Sequence, residues 1–94
     1  MEFVNSDSVD INGTSLQGYV VTTFKELVNT FGAPTYGEEF SGDGKVSCEW
    51  VLQFSDGTVA TIYDYKEDAT PMGEYSWHIG GQSIDSVNRV LECV

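Results

Sequence analysis

The chain has 94 residues, enough for one hydrophobic core but not for two, and its 40% hydrophobic and 13% aromatic residues are typical of a folded protein. We therefore expect a single domain over residues 1–94. Because 15 acidic residues stand against 4 basic ones, giving a net charge of −11, we expect neither direct binding to nucleic acid nor binding to an anionic membrane.

The sequence shows no targeting, membrane-spanning or cysteine motif. No apolar run approaches the roughly 20 residues that cross a bilayer, and residues 1–5 lack the basic and apolar regions of an export signal. Cys48 and Cys93 have neither metal-binding nor redox spacing, so we expect reduced thiols. These observations predict a soluble cytoplasmic protein without a metal or other cofactor.

The first 18 residues carry only scattered apolar positions and predict little regular structure. We expect a short strand at residues 2–4, a second one at residues 9–11, and a turn at Asn12 and Gly13.

Residues 23–31 predict the first helix. Thr23 and Glu26 have the spacing of a capping box, and Gly32 followed by Pro34 ends the pattern. Four apolar residues recur at the spacing of one helical face: Phe24, Leu27, Val28 and Phe31.

Residues 46–54 and 58–66 predict two antiparallel strands. The first run alternates apolar and polar residues, and the second is rich in β-branched and aromatic residues. The connection at residues 55–57 fits either a two-residue Asp-Gly turn or a three-residue Ser-Asp-Gly turn with a bulge.

The choice of turn sets the register of this hairpin. A two-residue turn would place Glu49 opposite Asp64, a destabilising pair of like charges, whereas a three-residue turn places Trp50 opposite Ile62. We favour the three-residue turn, which leaves Tyr63 and Tyr65 on one face of the hairpin. The other face then carries Trp50, Leu52, Phe54, Ala60 and Ile62.

The last elements are a strand and a helix. Residues 75–79 predict a third strand closed by Gly80 and Gly81, and residues 84–92 predict a helix capped by Ser83. The predicted buried stripe of this helix is Ile84, Val87, Val90 and Leu91. The order of elements predicts an α+β fold, an antiparallel β-sheet of three to four strands with two helices packed on one face.

Few residues of the sequence are candidates for catalysis or for ligand binding. His78 is the only histidine, and it falls on the strand face opposite Trp77 and Ile79 without a serine or cysteine nucleophile motif nearby. Cys48 lies on the same alternating strand face as the core-facing residues, and we therefore predict that it is a small buried hydrophobic residue. The glycines at 80–81 precede a helix but lack a phosphate-binding motif, so we interpret them as a tight turn. We expect no enzymatic activity and no catalytic residue.

The acidic residues and the tyrosines predict a partner-binding surface instead. Many carboxylates with few cations present a phosphate-like potential, which attracts the basic channel of a protein that holds nucleic acid. Tyrosines are preferred interface anchors, although they could equally cover the sheet of their own chain. The predicted partner-binding residues are Glu38, Glu39, Asp43, Asp64, Glu67, Asp68, Glu74, Tyr63 and Tyr65.

Five blocks of the sequence carry a family resemblance. They are T-S-L-Q-G-Y at residues 14–19, F-G-A-P-T at 31–35, E-W at 49–50, F-S-D-G-T-V-A-T-I-Y-D-Y-K at 54–66 and W-H-I-G-G at 77–81. From about Thr14 to its end the chain resembles a family of small proteins of tailed phages. The resemblance implies a phage origin and a role in the cytoplasm of the infected host cell, and it implies no reaction and no site residues.

Three functions follow as expectations. The first is a small acidic phage protein that binds and inhibits a host protein, as a DNA mimic directed at a nuclease or an anti-phage defence effector. The second is a module that binds and sequesters a small signalling ligand. The third is a minor virion component or an enzyme centred on His78. The sequence leaves the partner and the oligomeric state open, and a homo-oligomer is compatible with it.

Overall fold

The computed structural model of the protein describes residues 2–37, 48–65 and 71–94. These residues form an α+β fold in which five strands make one antiparallel sheet and two helices pack against it. The strands are β1 (Phe3–Asn5), β2 (Ser15–Thr22), β3 (Glu49–Phe54), β4 (Val59–Tyr63) and β5 (Tyr75–Gly81), and the helices are α1 (Phe24–Phe31) and α2 (Asp85–Cys93). The strand order is β1-β3-β4-β5-β2, so β1 and β2 are the edges of this sheet. Neither of these helices is long and apolar enough to span a bilayer.

One face of the sheet carries the hydrophobic core. Trp50 and Ile62 lie on it, as predicted, next to Trp77 of β5, and all three are fully buried. The two tryptophan rings meet edge to face with their centroids 5.6 Å apart. Each indole N–H donates to a backbone carbonyl, that of Trp50 to Gly32 at 2.9 Å and that of Trp77 to Thr22 at 3.1 Å. Both large side chains are therefore buried with their polar atom satisfied.

Helix α1 has the caps that the sequence predicts and begins one residue later than predicted, at Phe24. The hydroxyl of Thr23 accepts the N–H of Glu26 at 3.1 Å, and Gly32 ends the helix with a φ of 88°. Leu27 and Phe31 are buried in the core, which places α1 on the same face as the two tryptophans.

The hairpin has the predicted three-residue turn. The N–H of Phe54 donates to the carbonyl of Thr58 at 2.8 Å, and Gly57 has a φ of 91°, a value that a glycine adopts without strain. Trp50 pairs with Ile62, as predicted. Both strands are shorter than predicted, because β3 begins at residue 49 and β4 ends at residue 63; residues 46, 47 and 66 lie outside the described residues.

Helix α2 lies one residue later than predicted. It covers residues 85–93 instead of 84–92. The hydroxyl of Ser83 accepts the N–H of Asp85 at 3.2 Å, which agrees with its predicted capping role, although Ile84 is the residue directly before the helix.

The buried side of α2 differs from the prediction. Val87 and Val90 are buried, but Ile84 and Leu91 are 57% and 48% exposed, so their assignment to the buried stripe is wrong. Ser86 is buried instead, and its hydroxyl donates at 2.5 Å to the carbonyl of the first residue of β4. The helix is therefore rotated so that a small polar residue, rather than a large apolar one, lies against the sheet.

The glycines at 80–81 have a different role from the predicted tight turn. Both belong to β5, which extends two residues further than expected. A Cβ on Gly81 would overlap Ser86 of α2, and a Cβ on Gly80 would lie 2.5 Å from the hydroxyl of Thr61. These glycines let the helix and the neighbouring strand approach closely.

The sequence did not predict β2. With β2 the sheet has five strands, whereas three to four were expected. β2 pairs with β5, and its register shifts between Leu16 and Gly18, where a bulge interrupts the alternation of sides. Beyond the bulge, Val20 is buried while Tyr19 and Val21 are exposed. The regular alternation therefore covers too few residues to indicate a strand from sequence.

The N-terminal predictions are partly wrong. β1 covers residues 3–5 rather than 2–4, and residues 9–11 form no strand. The turn at Asn12 and Gly13 is present, with a φ of 79° at Gly13.

Candidate functional site

Four titratable side chains form a row across the sheet face opposite α1 and α2, which we call the helix-free face. Glu49 of β3 pairs with Tyr63 of β4, Tyr63 pairs with His78 of β5, and His78 pairs with Tyr19 of β2. Side chains of directly paired residues lie on the same face of a sheet. We call Glu49, Tyr63, His78 and Tyr19 the titratable row.

His78 is surrounded by tyrosine rings. Its ring stacks on that of Tyr63 with centroids 5.3 Å apart, and the ring of Tyr19 meets it edge-on at 5.0 Å. Tyr65, two residues beyond Tyr63, contributes a third ring at 5.7 Å. Tyr19 and Tyr65 are 51% and 40% exposed, so the rim of this aromatic cluster reaches solvent.

The Nδ1 atom of His78 is buried and has no hydrogen-bond partner within the described parts of the chain. A histidine that acts as a general base normally has a carboxylate or carbonyl that orients its ring. The described surroundings of His78 supply rings instead, which favours a packing role for the imidazole.

Glu49 is the carboxylate of the row. Its side chain is half-buried, and this burial raises its pKa to about 7. At neutral pH the carboxyl group is therefore divided between its protonated and charged forms. Burial also raises the pKa of the Tyr63 hydroxyl, with smaller contributions from Glu49, Tyr19 and Tyr65. The charge of Glu49 therefore affects the ionisation of its neighbour Tyr63.

The predicted partner-binding residues fall into three groups. Tyr63 and Tyr65 lie together on the helix-free face, as predicted, and Glu74 is exposed just before β5. Asp64 is fully buried, so its assignment to an exposed acidic surface is wrong. The remaining five, which lie outside the described residues, are Glu38, Glu39, Asp43, Glu67 and Asp68.

The burial of Asp64 follows from strand alternation. Tyr63 points to the helix-free face, so the next side chain points to the other side of the sheet. There the Oδ1 of Asp64 accepts the N–H of Cys48 at 3.2 Å. Cys48 is itself buried, as predicted.

Three members of the titratable row were not among the predicted partner-binding residues: Tyr19, Glu49 and His78. Tyr19 could not be placed because β2 was not recognised. Glu49 could have been found, because the predicted register of the hairpin already sets it opposite Tyr63. His78 needs the β4–β5 pairing, which joins strands that are separated by residues 64–74 and has no local sequence signal.

The described basic residues leave little free positive charge. They are Lys25, which is exposed, and Arg89, which is bound to two carboxylates. The Nε atom of Arg89 lies 2.9 Å from Asp56, and its Nη1 atom lies 3.2 Å from Glu92. Hydrogen bonds from Thr58, together with Arg89, lower the pKa of Asp56 to about 2. The charge of Arg89 is thus largely neutralised within the chain.

Two further features lie away from the titratable row. Within residues 2–37, 48–65 and 71–94, no three His, Cys, Asp or Glu side chains lie close enough together to hold a metal ion. An open groove of about 650 Å³ lies at the β1 edge, lined by Phe3, Val4, Phe54 and their neighbours. Its lining also includes the polar residues Glu2, Gln53 and Ser55.

Comparisons of the chain with protein-family models, with curated proteins and with solved structures find no match. The phage-family resemblance and the function that it implies therefore stay predictions. The fold and the site define a small acidic α+β protein whose helix-free sheet face carries clustered tyrosines around a histidine and a carboxylate.

Proposed function

We propose that this protein acts by binding, and that its partner is a host protein with a basic surface of the kind that holds nucleic acid. The observation that carries the proposal is the charge imbalance. The net charge is −11, and of the two described basic residues Arg89 is already bound by two carboxylates. The negative electrostatic field of such a protein attracts a positively charged surface and repels acidic proteins.

The helix-free face is the proposed contact surface. Exposed tyrosines such as Tyr19 and Tyr65 supply large, rigid contact area, which is why tyrosine is common in interface hot spots. A lysine or arginine of the partner, placed over these rings, would gain a cation–π interaction. A second basic side chain of the partner, placed beside Glu49, would stabilise its charged form.

In the phage setting that the resemblance implies, such binding would inhibit the partner. A nuclease or a defence effector whose DNA channel is covered by an acidic protein cannot bind its substrate. The acidic protein would then act as a DNA mimic.

Affinity capture from host lysate at low and high salt tests this proposal, with a Tyr19→Ala/Tyr65→Ala variant run in parallel. We expect a captured protein that is lost at high salt, lost with the double variant, and displaced by added DNA. Met72→Ala is the control, because Met72 is 66% exposed and is not part of the cluster. Capture that is indifferent to salt and to DNA would refute the proposal.

Charge reversals at two acidic pairs test the electrostatic part separately. Glu38→Lys with Glu39→Lys, or Glu67→Lys with Asp68→Lys, should slow association with the captured partner without lowering the melting temperature. Both pairs lie outside the described residues. If association rates are the same for the reversals and the parent chain, charge is not the recognition element.

A further inference from the structure

The edge strand β2 is long and carries no charge. It has eight residues, whereas β1 at the opposite edge has three. The sequence from residue 11 to residue 24, which contains β2, has no Asp, Glu, Lys or Arg, although 20% of the whole chain is charged. In a protein of net charge −11, this neutral stretch is the part least repelled by a second copy.

Three of the four exposed residues of β2 are large hydrophobic residues, and the fourth is Ser15. Leu16, Tyr19 and Val21 are 47%, 51% and 66% exposed. Natural edge strands are usually protected from pairing by lysine, proline, a bulge or short length. β2 has one such device, the bulge between Leu16 and Gly18, and the segment beyond it is regular.

The outward-facing backbone groups of β2 have no strand partner among the described residues, because β2 is the last strand on its side of the sheet. We propose that β2 pairs antiparallel with β2 of a second copy about a two-fold axis, so that two five-stranded sheets join into one. Antiparallel self-pairing makes every contact twice, as a closed two-fold interface requires. The neutrality of β2 selects a second copy over a basic partner, which would be drawn to carboxylates.

Dimerisation would also extend the helix-free face. Tyr19 lies on β2, at the end of the titratable row, so pairing at this edge would bring the two rows together on one continuous surface. The inference does not depend on the proposed function, since a monomer could bind the same basic partner.

Salt distinguishes the two kinds of association. Two chains of net charge −11 repel each other, and salt screens that repulsion, so the dimer should strengthen as salt rises. A complex with a basic partner should weaken under the same change.

Sedimentation velocity over a concentration series, at low and high salt, measures the mass against the 10.3 kDa of the chain. We expect the mass of the parent chain to double as the protein concentration rises. In high salt this doubling should occur at a lower protein concentration. Val21→Lys should weaken the dimer at least about tenfold, because a lysine on an edge strand is one of the devices that protect natural edge strands from pairing. Val4→Lys is the matched control, since Val4 is an equally aliphatic residue, 55% exposed, on the other edge strand.

Both variants change the net charge by the same amount, and their circular dichroism spectra and melting curves report whether they are folded. A chain that stays monomeric throughout the series at both salt concentrations overturns the inference. A dimer that Val21→Lys leaves intact, or that Val4→Lys weakens as much, overturns it as well.

Discussion

At the scale of single residues, the helix-free face is only partly solvated, since Val51 and Thr61 on this face are 1% and 3% exposed. Glu49 has a pKa near neutrality because it is half-buried, and His78 has a buried nitrogen without a described partner. Neither property stabilises the fold. The raised pKa of Glu49 is the kind of local cost that proteins retain at functional sites.

Replacing Glu49 with glutamine should have opposite effects on stability and on binding: it should stabilise the folded protein and weaken partner binding at pH 8. The folded-state pKa of about 7 exceeds the ordinary value of 4.5, so the folded state holds this proton more tightly and its stability falls as pH rises from about 4.5 through 7. Glu49→Gln removes that loss, and should raise the free energy of unfolding by roughly 1–3 kcal/mol at pH 8 and by almost nothing near pH 4. Urea denaturation at both pH values measures this difference.

Partner binding should respond in the opposite direction. A cation beside Glu49 favours the charged carboxylate, so affinity for the partner should rise with pH through about 7. Glu49→Gln should abolish this rise while the variant is more stable than the parent chain. A variant that is more stable and binds equally well at pH 8 would show that Glu49 does not contact the partner.

Replacing His78 with phenylalanine should preserve both the fold and binding. Phenylalanine keeps a ring that can pack against Tyr19 and Tyr63, and it removes the buried unpartnered nitrogen. We expect a melting temperature equal to or above that of the parent chain and unchanged capture of the partner. Loss of function in a folded His78→Phe variant would favour the alternative of an enzyme centred on His78.

At the scale of secondary-structure elements, the contact between α2 and the sheet depends on small residues. Ser86 packs where Gly81 leaves room, and this contact determines which side of α2 is buried. The large apolar residues Ile84 and Leu91 are exposed as a result. A hydrophobic pattern alone therefore does not predict the rotation of this helix.

Gly81→Ala should destabilise the protein by roughly 1–3 kcal/mol, because its methyl group would overlap Ser86 and force the helix outward. Gly73→Ala is the control, since a Cβ at Gly73 would meet nothing within 4 Å. Urea denaturation midpoints compare the two variants. Equal midpoints for both would mean that α2 does not pack against β5 as closely as described.

At the scale of the whole molecule, net charge affects stability as well as recognition. Fifteen carboxylates on a small domain repel each other at neutral pH, and the described ion pairs of Arg89 are partly exposed and contribute little. The free protein therefore retains more repulsion in the folded state than in the expanded unfolded chain.

The melting temperature of the free protein should rise with salt at pH 7, because screening reduces this repulsion. Differential scanning calorimetry from low salt to about 1 M sodium chloride measures the shift, where the Debye length is about 3 Å. The experiment is done at low protein concentration, so that dimerisation does not contribute. A melting temperature that falls with salt would indicate that attractive ion pairs outweigh the repulsion.

Local signals in the sequence determined α1, the turn and register of the hairpin, and the face on which the core lies. Thr23, Gly32 and Gly57 each determine the conformation of only a few neighbouring residues. The alternation of β3 is visible in the sequence itself. Tertiary structure decided the rest. Tyr19 meets His78 only because β2 pairs with β5 across most of the chain, and Tyr63 meets His78 only because β4 pairs with β5. Pairing between distant strands depends on the packing of the whole sheet, and such packing has no signature in any one segment.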